Sequence, residues 1–216
     1  MSAAAGRATP GPARASRRRL APDARRREVL DAAIRVFRDR GPGGCRVEDI
    51  TTEAGTAKGN FYRYFPTWDD LLVAVRDHLL DSYGEDLARR YAGHTRIEWR
   101  EVVDEEIDRF IAFQLDLGGL HQAVFHGPAA AARPIEKHRS AASMLAWLLA
   151  AGIAEGVFAA VNVDATATLL FDVLHGAADA IASGMDREEV LRAAHRIVHR
   201  ALEPDPDGNP HGEATI

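Results

Sequence analysis

The chain lacks the features that mark several large protein classes. Its single cysteine, Cys45, excludes a disulfide within the 216 residues and indicates a reducing, cytoplasmic location. No apolar run approaches the roughly 18 residues that span a bilayer, and none follows the arginine-rich start as a secretory signal requires. A glycine loop that cradles phosphate and a Gly-x-Ser-x-Gly motif are also missing. The sequence therefore predicts no membrane association, no cofactor and no enzymatic activity.

The charges divide the chain into two parts. Residues 1–65 contain 14 Lys and Arg against 7 Asp and Glu, a net charge of +7. Residues 66–216 contain 13 against 25, a net charge of −12. A basic end joined to an acidic body indicates that one end meets a polyanion such as nucleic acid and that the other does not.

Apolar residues recur at helical spacing, and no stretch of useful length alternates as a strand does. Glycine and proline interrupt this pattern. We predict an all-α fold with a disordered basic arm at 1–21, a small head at 22–66, a body at 67–203 and a disordered tail at 204–216. The predicted body helices cover 67–91, 97–117, 120–126, 134–155, 164–183 and 186–202, with Thr67, Asp164 and Asp186 as caps.

Residues 47–65, VEDITTEAGTAKGNFYRYF, form the most informative segment of the chain. The pattern predicts a helix that ends at Gly55 and a second, short helix in which Phe61 and Phe65 point inward. A helix-turn-helix has this organisation, with the second helix in the major groove of DNA. The segment therefore makes a DNA-binding head the leading interpretation.

Polar side chains on the outer face of the second helix suit a DNA groove. Lys58 can reach guanine or a phosphate, Asn60 can donate and accept, and Arg63 suits a base or a phosphate. Gly59 removes a side chain where the backbone must approach DNA, and two tyrosines add hydroxyl groups. An ordinary corner between two helices, with solvated polar residues, is the alternative.

Residues 25–75 resemble the DNA-binding domain of the TetR family of bacterial one-component repressors. The matching residues are Arg27–Ile34, Phe37, Gly41, Val47–Ile50, Glu53–Gly55, Lys58–Phe65 and Leu71–Leu72. The resemblance covers the first third of the chain. It implies an Ω-shaped, all-helical homodimer, with a helix-turn-helix DNA-binding domain at 22–66 and a ligand-binding and dimerisation domain at 67–203.

The resemblance also implies which residues meet DNA. The second helix of the motif is expected to contact bases. Its N-terminus and the supporting helix are expected to contact phosphates. The predicted DNA-binding residues are Thr51, Thr52, Thr56, Ala57, Lys58, Gly59, Asn60, Tyr62, Arg63, Tyr64 and Trp68, together with Arg17, Arg18 and Arg19 of the arm.

Two positions depart from the family pattern. Many members have Ser where this chain has Ala57, so one hydroxyl contact is missing. Many have a phosphate-binding Lys where this chain has Trp68, which brings no charge and could instead pack against the head. We hypothesise that the arginines at 17–19 compensate for this lost charge, with a solvated tail as the alternative.

The body carries aromatic side chains among a few polar ones, which suits a mostly apolar ligand held by a few hydrogen bonds. No cluster of lysine or arginine lies among them, which disfavours a highly anionic ligand. Ordinary core packing is the alternative for each residue. The predicted ligand contacts are Trp99, Phe110, Phe113, Gln114, His121, Phe125, His126, Met144, Trp147, Phe171 and His175.

The last two helices are candidates for a dimer interface, because they could pair with their copies as a four-helix bundle. The predicted interface residues are Ala177, Ala180, Val190, Leu191, Ala194, Ile197, Val198 and Ala201. Packing inside one chain is the alternative. A bound ligand would favour a dimer whose heads are spaced wrongly for adjacent grooves, with the helix that starts near Thr67 as the lever.

Other functions stay open at this point. A helix-turn-helix activator or co-regulator without a small-molecule effector fits the same pattern. A helical enzyme is a more distant alternative: His195 and His199 are four residues apart and can hold a metal, but no Glu lies between them as in zinc proteases. A scaffold would leave the basic head unexplained. The expected partners are double-stranded operator DNA, a second copy of the chain and an unidentified small molecule.

Overall fold

The computed structural model describes residues 22–91, 98–132, 138–159 and 161–204, and every regular element in these ranges is helical. This confirms the predicted all-α class. The helices are α1 (Pro22–Arg40), α2 (Val47–Glu53), α3 (Lys58–Tyr64), α4 (Trp68–Tyr91), α5 (Trp99–Asp116), α6 (Gly119–His121), α7 (Pro128–Ala132), α8 (His138–Ala154), α9 (Val163–Ala182) and α10 (Arg187–Leu202). A 3₁₀ turn at Pro42–Gly44 and a π-helical turn at Gln122–His126 complete the described elements.

Local sequence signals fix most helix ends. At the start of α4, the Thr67 backbone N–H donates to Asp70 Oδ2 (3.0 Å) and the Asp70 N–H donates to Thr67 Oγ1 (3.1 Å). This reciprocal pair confirms Thr67 as a cap. Asp186 caps α10 as predicted, because its Oδ1 accepts from the Glu189 N–H at 2.9 Å.

Two predictions about the body helices were wrong. Asn162, not Asp164, caps α9, since its Oδ1 accepts from the Ala165 N–H at 3.0 Å and the helix begins at Val163. The expected helix at 120–126 is instead the short α6 followed by a π-helical turn, and α7 was not predicted at all. Pro128 was taken as a stop, but proline is also accepted in the first turn of a helix.

The described residues form two apolar cores. The N-terminal core packs α1, α2 and α3 against residues 71–79 of α4. Four residues from later in the chain complete this core: Leu117, Leu120, Val124 and Ala129. We call residues 117–129 the junction segment, because it also contacts α1 and α4. Residues of α4 and of the junction segment, which lie beyond the predicted boundary at residue 67, therefore contribute to the N-terminal core.

The second core lies among the far half of α4 and helices α5, α8, α9 and α10. Within this core, α9 runs through the middle and contacts α5, α8 and α10. Of the described helices, α9 alone has the length and composition of a membrane span. It carries Asp164, Asp172 and Asp179, and a single helix of this kind is weak support for a span.

Candidate nucleic-acid interface and ligand cavity

Two buried phenylalanines orient α3. Phe61 is fully buried and Phe65 is 1% exposed, and both belong to the N-terminal core. The preceding turn depends on Gly55, whose φ of 58° is in the left-handed region that glycine adopts readily. The Thr56 N–H donates to the Thr51 carbonyl at 2.9 Å across this turn. The outer face of α3 is thereby held away from the core.

The outer face carries Lys58, Gly59, Asn60, Tyr62 and Arg63, which we call the recognition ridge. Of these, Asn60 is half-buried and the rest are exposed, with Tyr62 at 46%. The Asn60 amide donates to Thr56 Oγ1 at 3.2 Å. The Arg63 guanidinium donates to the Tyr64 hydroxyl at 2.7 Å and lies 4.8 Å from the centre of that ring.

Lys58 pairs with Glu48 of the supporting helix α2. The hydrogen bond from Lys58 lowers the pKa of the Glu48 carboxyl, and the same bond raises the pKa of the lysine, so both groups stay charged. Both side chains are more than half exposed, at 52% and 60%. Exposed ion pairs contribute little to stability, so a phosphate or a base can replace Glu48 as the partner of Lys58.

Gly59 is not required by the packing of the chain itself. A Cβ atom added at this position would meet no heavy atom within 4 Å, and φ is not in the left-handed region. Glycine inside a helix costs about 1 kcal/mol relative to alanine. The chain itself thus leaves open space at Gly59, into which a partner surface could approach closely.

The structure corrects one predicted DNA contact and changes another. Thr51 is only 6% exposed, and its hydroxyl donates to the Glu48 carbonyl at 3.2 Å, so it is not available to a phosphate in this conformation. Trp68 is half-buried and stacks edge-on against Phe37 with ring centres 5.5 Å apart. It packs against the head, the alternative that the sequence left open. Thr52 and Ala57 are exposed, Thr56 is half-buried, and residues 17–19 lie outside the described ranges.

The body contains an apolar cavity of about 40 Å³ between α4, α5, α8, α9 and α10. Its polar lining among the described residues comes from Tyr83 and Glu106. The apolar lining residues are Leu87, Val103, Ile107, Phe110, Leu145, Leu148, Leu149, Phe158, Leu170, Leu174, Val198 and Leu202. Sites for small molecules usually enclose about 300–1,000 Å³, so this cavity has to expand before it can hold one.

A buried carboxylate forms the polar corner of this cavity. Glu106 accepts hydrogen bonds from the hydroxyls of Tyr83 and Tyr91, both at 3.0 Å, and from the Arg90 guanidinium at 2.9 Å. Burial, reinforced by the charge of Glu106, raises the pKa of Tyr83 strongly and that of Tyr91 to about 12. Both tyrosines therefore stay protonated donors. The sequence contained a signal for Glu106, because it lies four residues from Phe110 on the buried face of α5.

The predicted ligand contacts do not converge on this cavity. Of them, Phe110 lines it, while Phe113 and Phe171 pack against Phe110. The Trp99 indole donates to Glu155 at 2.8 Å, and Trp147 is 48% exposed. The Met144 side chain lies outside the described part. A second group forms a separate cluster, made of Gln114, His121, Phe125, His126 and His175.

The predicted dimer residues are partly buried inside the chain and partly exposed. Val190, Ala194 and Val198 are buried against the second core, whereas Ile197 is 50% exposed and Ala201 is exposed. Leu191 is half-buried. A shallow apolar groove runs between α9 and α10, lined in part by Ala177, Ala180, Val190, Ala194 and Ile197. The buried residues pack inside the chain, and their exposed neighbours stay available to a partner.

The two histidines that the sequence suggested as metal ligands make ion pairs in the structure. His195 lies between Asp104 (Nδ1–Oδ1, 2.8 Å) and Asp108 (Nε2–Oδ1, 2.9 Å), and His199 contacts Asp104 at 2.7 Å. Burial acts to lower the pKa of His195, but hydrogen bonds to Asp108 and Asp104 outweigh it and raise that pKa. Both ring nitrogens then donate. In this structure the α5–α10 cluster is an ion-pair network.

Sequence comparisons match the head of the chain. The family described as "Bacterial regulatory proteins, tetR family" matches residues 29–75. The HTH-type transcriptional regulator BetI of Brucella anthropi is 43% identical over 63 residues, 29% of this chain and 32% of BetI. The chain thus spans about a third of the length of the curated relatives it matches. These relatives are regulators, which agrees with the prediction that the chain is not an enzyme.

Solved structures match nearly the whole fold. A TetR-family transcriptional regulator from Pectobacterium atrosepticum has a TM-score of 0.66 and 24% identity, covering 86% of this chain and 97% of that one. RolR in complex with resorcinol has a TM-score of 0.63 and 21% identity, covering 90% and 98%. The TM-scores and the coverage establish the fold alone, and the head supplies the sequence match. Residues 29–75 therefore match the TetR family of bacterial regulatory proteins, on a fold that solved TetR-family regulators share.

Proposed function

We propose that the protein is a cytoplasmic transcriptional repressor that binds a pseudo-palindromic operator as a homodimer and is released by a small, mostly apolar ligand. The recognition ridge carries this proposal, because Lys58 and Arg63 are exposed on the same short helix whose Phe61 is fully buried. Two ridges on a dimer would enter major grooves about one helical turn apart, roughly 34–36 Å, or a multiple of that distance.

The groove between α9 and α10 supports the dimer. It is apolar and shallow, and Met185 and Ile197 on its margin are 59% and 50% exposed. Leu169 on α9 is 65% exposed as well. Grouped exposed apolar side chains mark interaction surfaces more often than chance positions do. A second copy of the chain, seated on the same groove, would cover them.

The cavity in the body supports a ligand with apolar character and one or two hydroxyl groups. Glu106 offers an acceptor and Tyr83 a hydroxyl at one corner of an otherwise apolar lining. The fold neighbour RolR is described in complex with resorcinol, a small molecule of this chemistry. Since α4 lines the cavity at Leu87 and reaches the N-terminal core at Leu71, cavity expansion would move the head. A tenfold preference of the ligand for the non-DNA form corresponds to about 1.4 kcal/mol.

Selection of bound duplexes from random DNA tests the proposal at physiological salt. We expect one enriched pseudo-palindrome, and its loss in Lys58→Ala and Arg63→Ala variants. Arg38→Ala is a matched control, because it removes an exposed positive charge from α1, outside the ridge. Absence of any enriched sequence would overturn the repressor assignment. A chain that lacks residues 1–21 tests the arm: an unchanged dependence of operator affinity on salt would discard its phosphate contacts.

The size of the cavity favours a second candidate, a helix-turn-helix regulator without a small-molecule effector. Its present volume of about 40 Å³ admits no ligand of drug-like size. A cavity-filling variant, Val103→Phe, separates the two candidates in a reporter-gene assay. A ligand-released repressor should lose induction and stay on DNA. An effector-free regulator should respond as the wild type does.

A further inference from the structure

We propose that His121, His126, His175 and Asp179 bind one divalent transition-metal ion, of the Zn²⁺ class, where the junction segment meets α9. His121 and His126 come from the junction segment, whereas His175 and Asp179 lie one turn apart on α9. The potential ligand atoms of all four lie within 4.8 Å of one another. Sequence spacing alone does not bring the pair on the junction segment to the pair on α9.

The donor set defines the class of ion. Three imidazoles and one carboxylate suit zinc and its neighbours, whereas calcium and magnesium prefer sites made of oxygen ligands alone. Zinc lies about 2.0–2.2 Å from such donors, so small side-chain rotations have to close the 4.8 Å spread around the ion. His121 is 4% exposed, while His126 is exposed at the surface. The site is thus anchored inside and open to solvent at one ligand.

Buried Gln114 prepares His121 as a ligand. Its Oε1 lies 2.9 Å from His121 Nδ1. Because an amide oxygen only accepts, Nδ1 carries the proton and donates a hydrogen bond to it. The Nε2 lone pair of the neutral ring then faces Asp179 Oδ1 at 2.9 Å. That contact is favourable only with a proton or a cation between the two atoms. Metal-binding histidines are commonly held by an outer acceptor in this manner.

The crowding of three imidazole rings around one carboxylate favours a cation over protons at this site. His126 Nε2 approaches the same Asp179 oxygen at 3.1 Å, and the His175 ring stacks on His121 with ring centres 4.8 Å apart. One carboxylate cannot neutralise several imidazolium ions packed this closely. A divalent ion lets all three rings stay neutral and still compensates Asp179.

The His195 cluster is a useful contrast. There, His195 faces two carboxylates, Asp104 and Asp108, and its raised pKa allows both ring nitrogens to donate. A proton on His195 can therefore offset part of the negative charge of that cluster. The junction cluster has one carboxylate for three imidazoles. Protonation of all three rings would therefore leave an excess of positive charge there. The two sites can be compared within a single protein.

The location gives the metal a mechanical consequence, which rests on the proposed function. The junction segment places Leu120 and Val124 in the N-terminal core and His121 and His126 against α9. A metal ion bound to both elements would tie the body to the core from which the recognition ridge projects. Metal occupancy is therefore expected to change operator affinity by restricting the head.

Metal binding is tested on untagged full-length protein that has been stripped with a chelator. Titration with Co²⁺, followed by visible absorption, and with Zn²⁺ against a chromogenic chelator should give one ion per chain. His126→Gln should weaken binding by more than 100-fold without unfolding the chain, since His126 is exposed. Gln114→Leu should weaken it by about 10–100-fold. His199→Gln, in the α5–α10 cluster, is the matched control and should bind as the wild type does.

The outcomes separate the metal site from the proposed function. No Co²⁺ or Zn²⁺ bound by the wild type, or equal binding by His126→Gln, overturns the site. If a metal binds but the affinity for a selected operator is the same with Zn²⁺ and with chelator, the coupling to the head is overturned. Failure to enrich any DNA sequence in either condition overturns the repressor assignment and leaves the metal result standing.

Discussion

The head and the body place their polar side chains in opposite ways. In the head, the polar residues of α3 point outward around the buried Phe61, and the supporting ion pair of Lys58 is exposed. In the body, Glu106, Gln114 and His121 are 6%, 1% and 4% exposed, within a largely apolar surrounding. The head thus offers its chemistry at the surface, and the body holds its chemistry inside.

This contrast indicates what each region can recognise. A surface ridge of charges and hydroxyls suits a macromolecular partner, because the phosphates and base edges of DNA are reached from outside. Buried polar groups are costly unless they are paired, so a fold that retains several of them uses them for internal organisation or internal binding. The predictions below test this division with pairs of neighbouring residues.

The largest effect is expected for Phe61→Ala in the head. Removing this fully buried ring should destabilise the head by about 3–5 kcal/mol, because both transfer energy and a cavity contribute. Its neighbour Tyr62 is exposed, so Tyr62→Ala should change stability by less than about 0.5 kcal/mol. Chemical unfolding followed by circular dichroism measures both. Equal losses would contradict the inward and outward division of α3.

A smaller loss is expected for Glu106→Gln in the body. The change removes the charge that Arg90, Tyr83 and Tyr91 share. We expect a loss of about 2 kcal/mol, below that of a fully isolated buried pair, because Arg90 keeps Asp86 as a partner. Glu105→Gln is the control: its carboxylate is exposed and pairs with Arg109, so its loss should stay below about 0.5 kcal/mol.

If the unfolding midpoints of the two glutamate variants coincide, the buried network does not stabilise the body. An unchanged tryptophan fluorescence spectrum, to which Trp99 of the same core contributes, would show that the fold itself is retained in both variants.

Two glycines in the motif should separate folding from recognition. Gly55→Ala forces a side chain into the left-handed region at φ 58° and should cost about 1–2 kcal/mol. Gly59→Ala should be neutral or stabilising by up to about 1 kcal/mol, since the added Cβ meets nothing in the chain. The same change should weaken operator binding if DNA approaches this backbone. Thermal unfolding and a DNA-binding titration, run on both variants, give the comparison.

The same contrast explains how much the sequence could predict. The helices of the head could be predicted because their signals are local. Gly55, Phe61 and Thr67 each act on neighbouring residues of the chain. Its exception is Thr51, whose burial depends on the helices packed around α2 rather than on its own spacing. The predicted site residues of the ridge follow from the same local pattern.

The helices of the body were predicted, but most of the ligand contacts predicted there do not line the cavity. The His121–Asp179 contact joins residues 58 apart in sequence, and the Tyr83–Glu106 contact joins residues 23 apart. Helical periodicity identifies an inward face without specifying which inward residues meet. For the same reason, aromatic residues such as Trp99 and Phe171 could be placed in the core but not assigned to one cavity.

The smallest effect concerns the partly exposed α5–α10 cluster and is tested by pH. His195 faces Asp104 and Asp108 from α5, with His199 beside it on α10. Its pKa is raised in the folded state, since the two carboxylates outweigh burial. Its contribution to stability is therefore fully present below the unfolded value of about 6.5 and is lost as pH rises through the folded pKa.

Asp104 has the opposite dependence. Burial acts to raise its pKa, but hydrogen bonds from His199 and His195 lower it overall. Its contribution is present above the unfolded value of about 3.9 and is lost as pH falls through the folded pKa. The cluster should thus stabilise the fold most between about pH 4 and 6.5. The pH profile of the melting temperature should show no such maximum for His195→Gln. The maximum should remain for Arg196→Gln, which changes an exposed neighbour on α10. A His195→Gln profile parallel to the wild type at every pH would mean that solvent screens the cluster and that α10 is held by apolar packing alone.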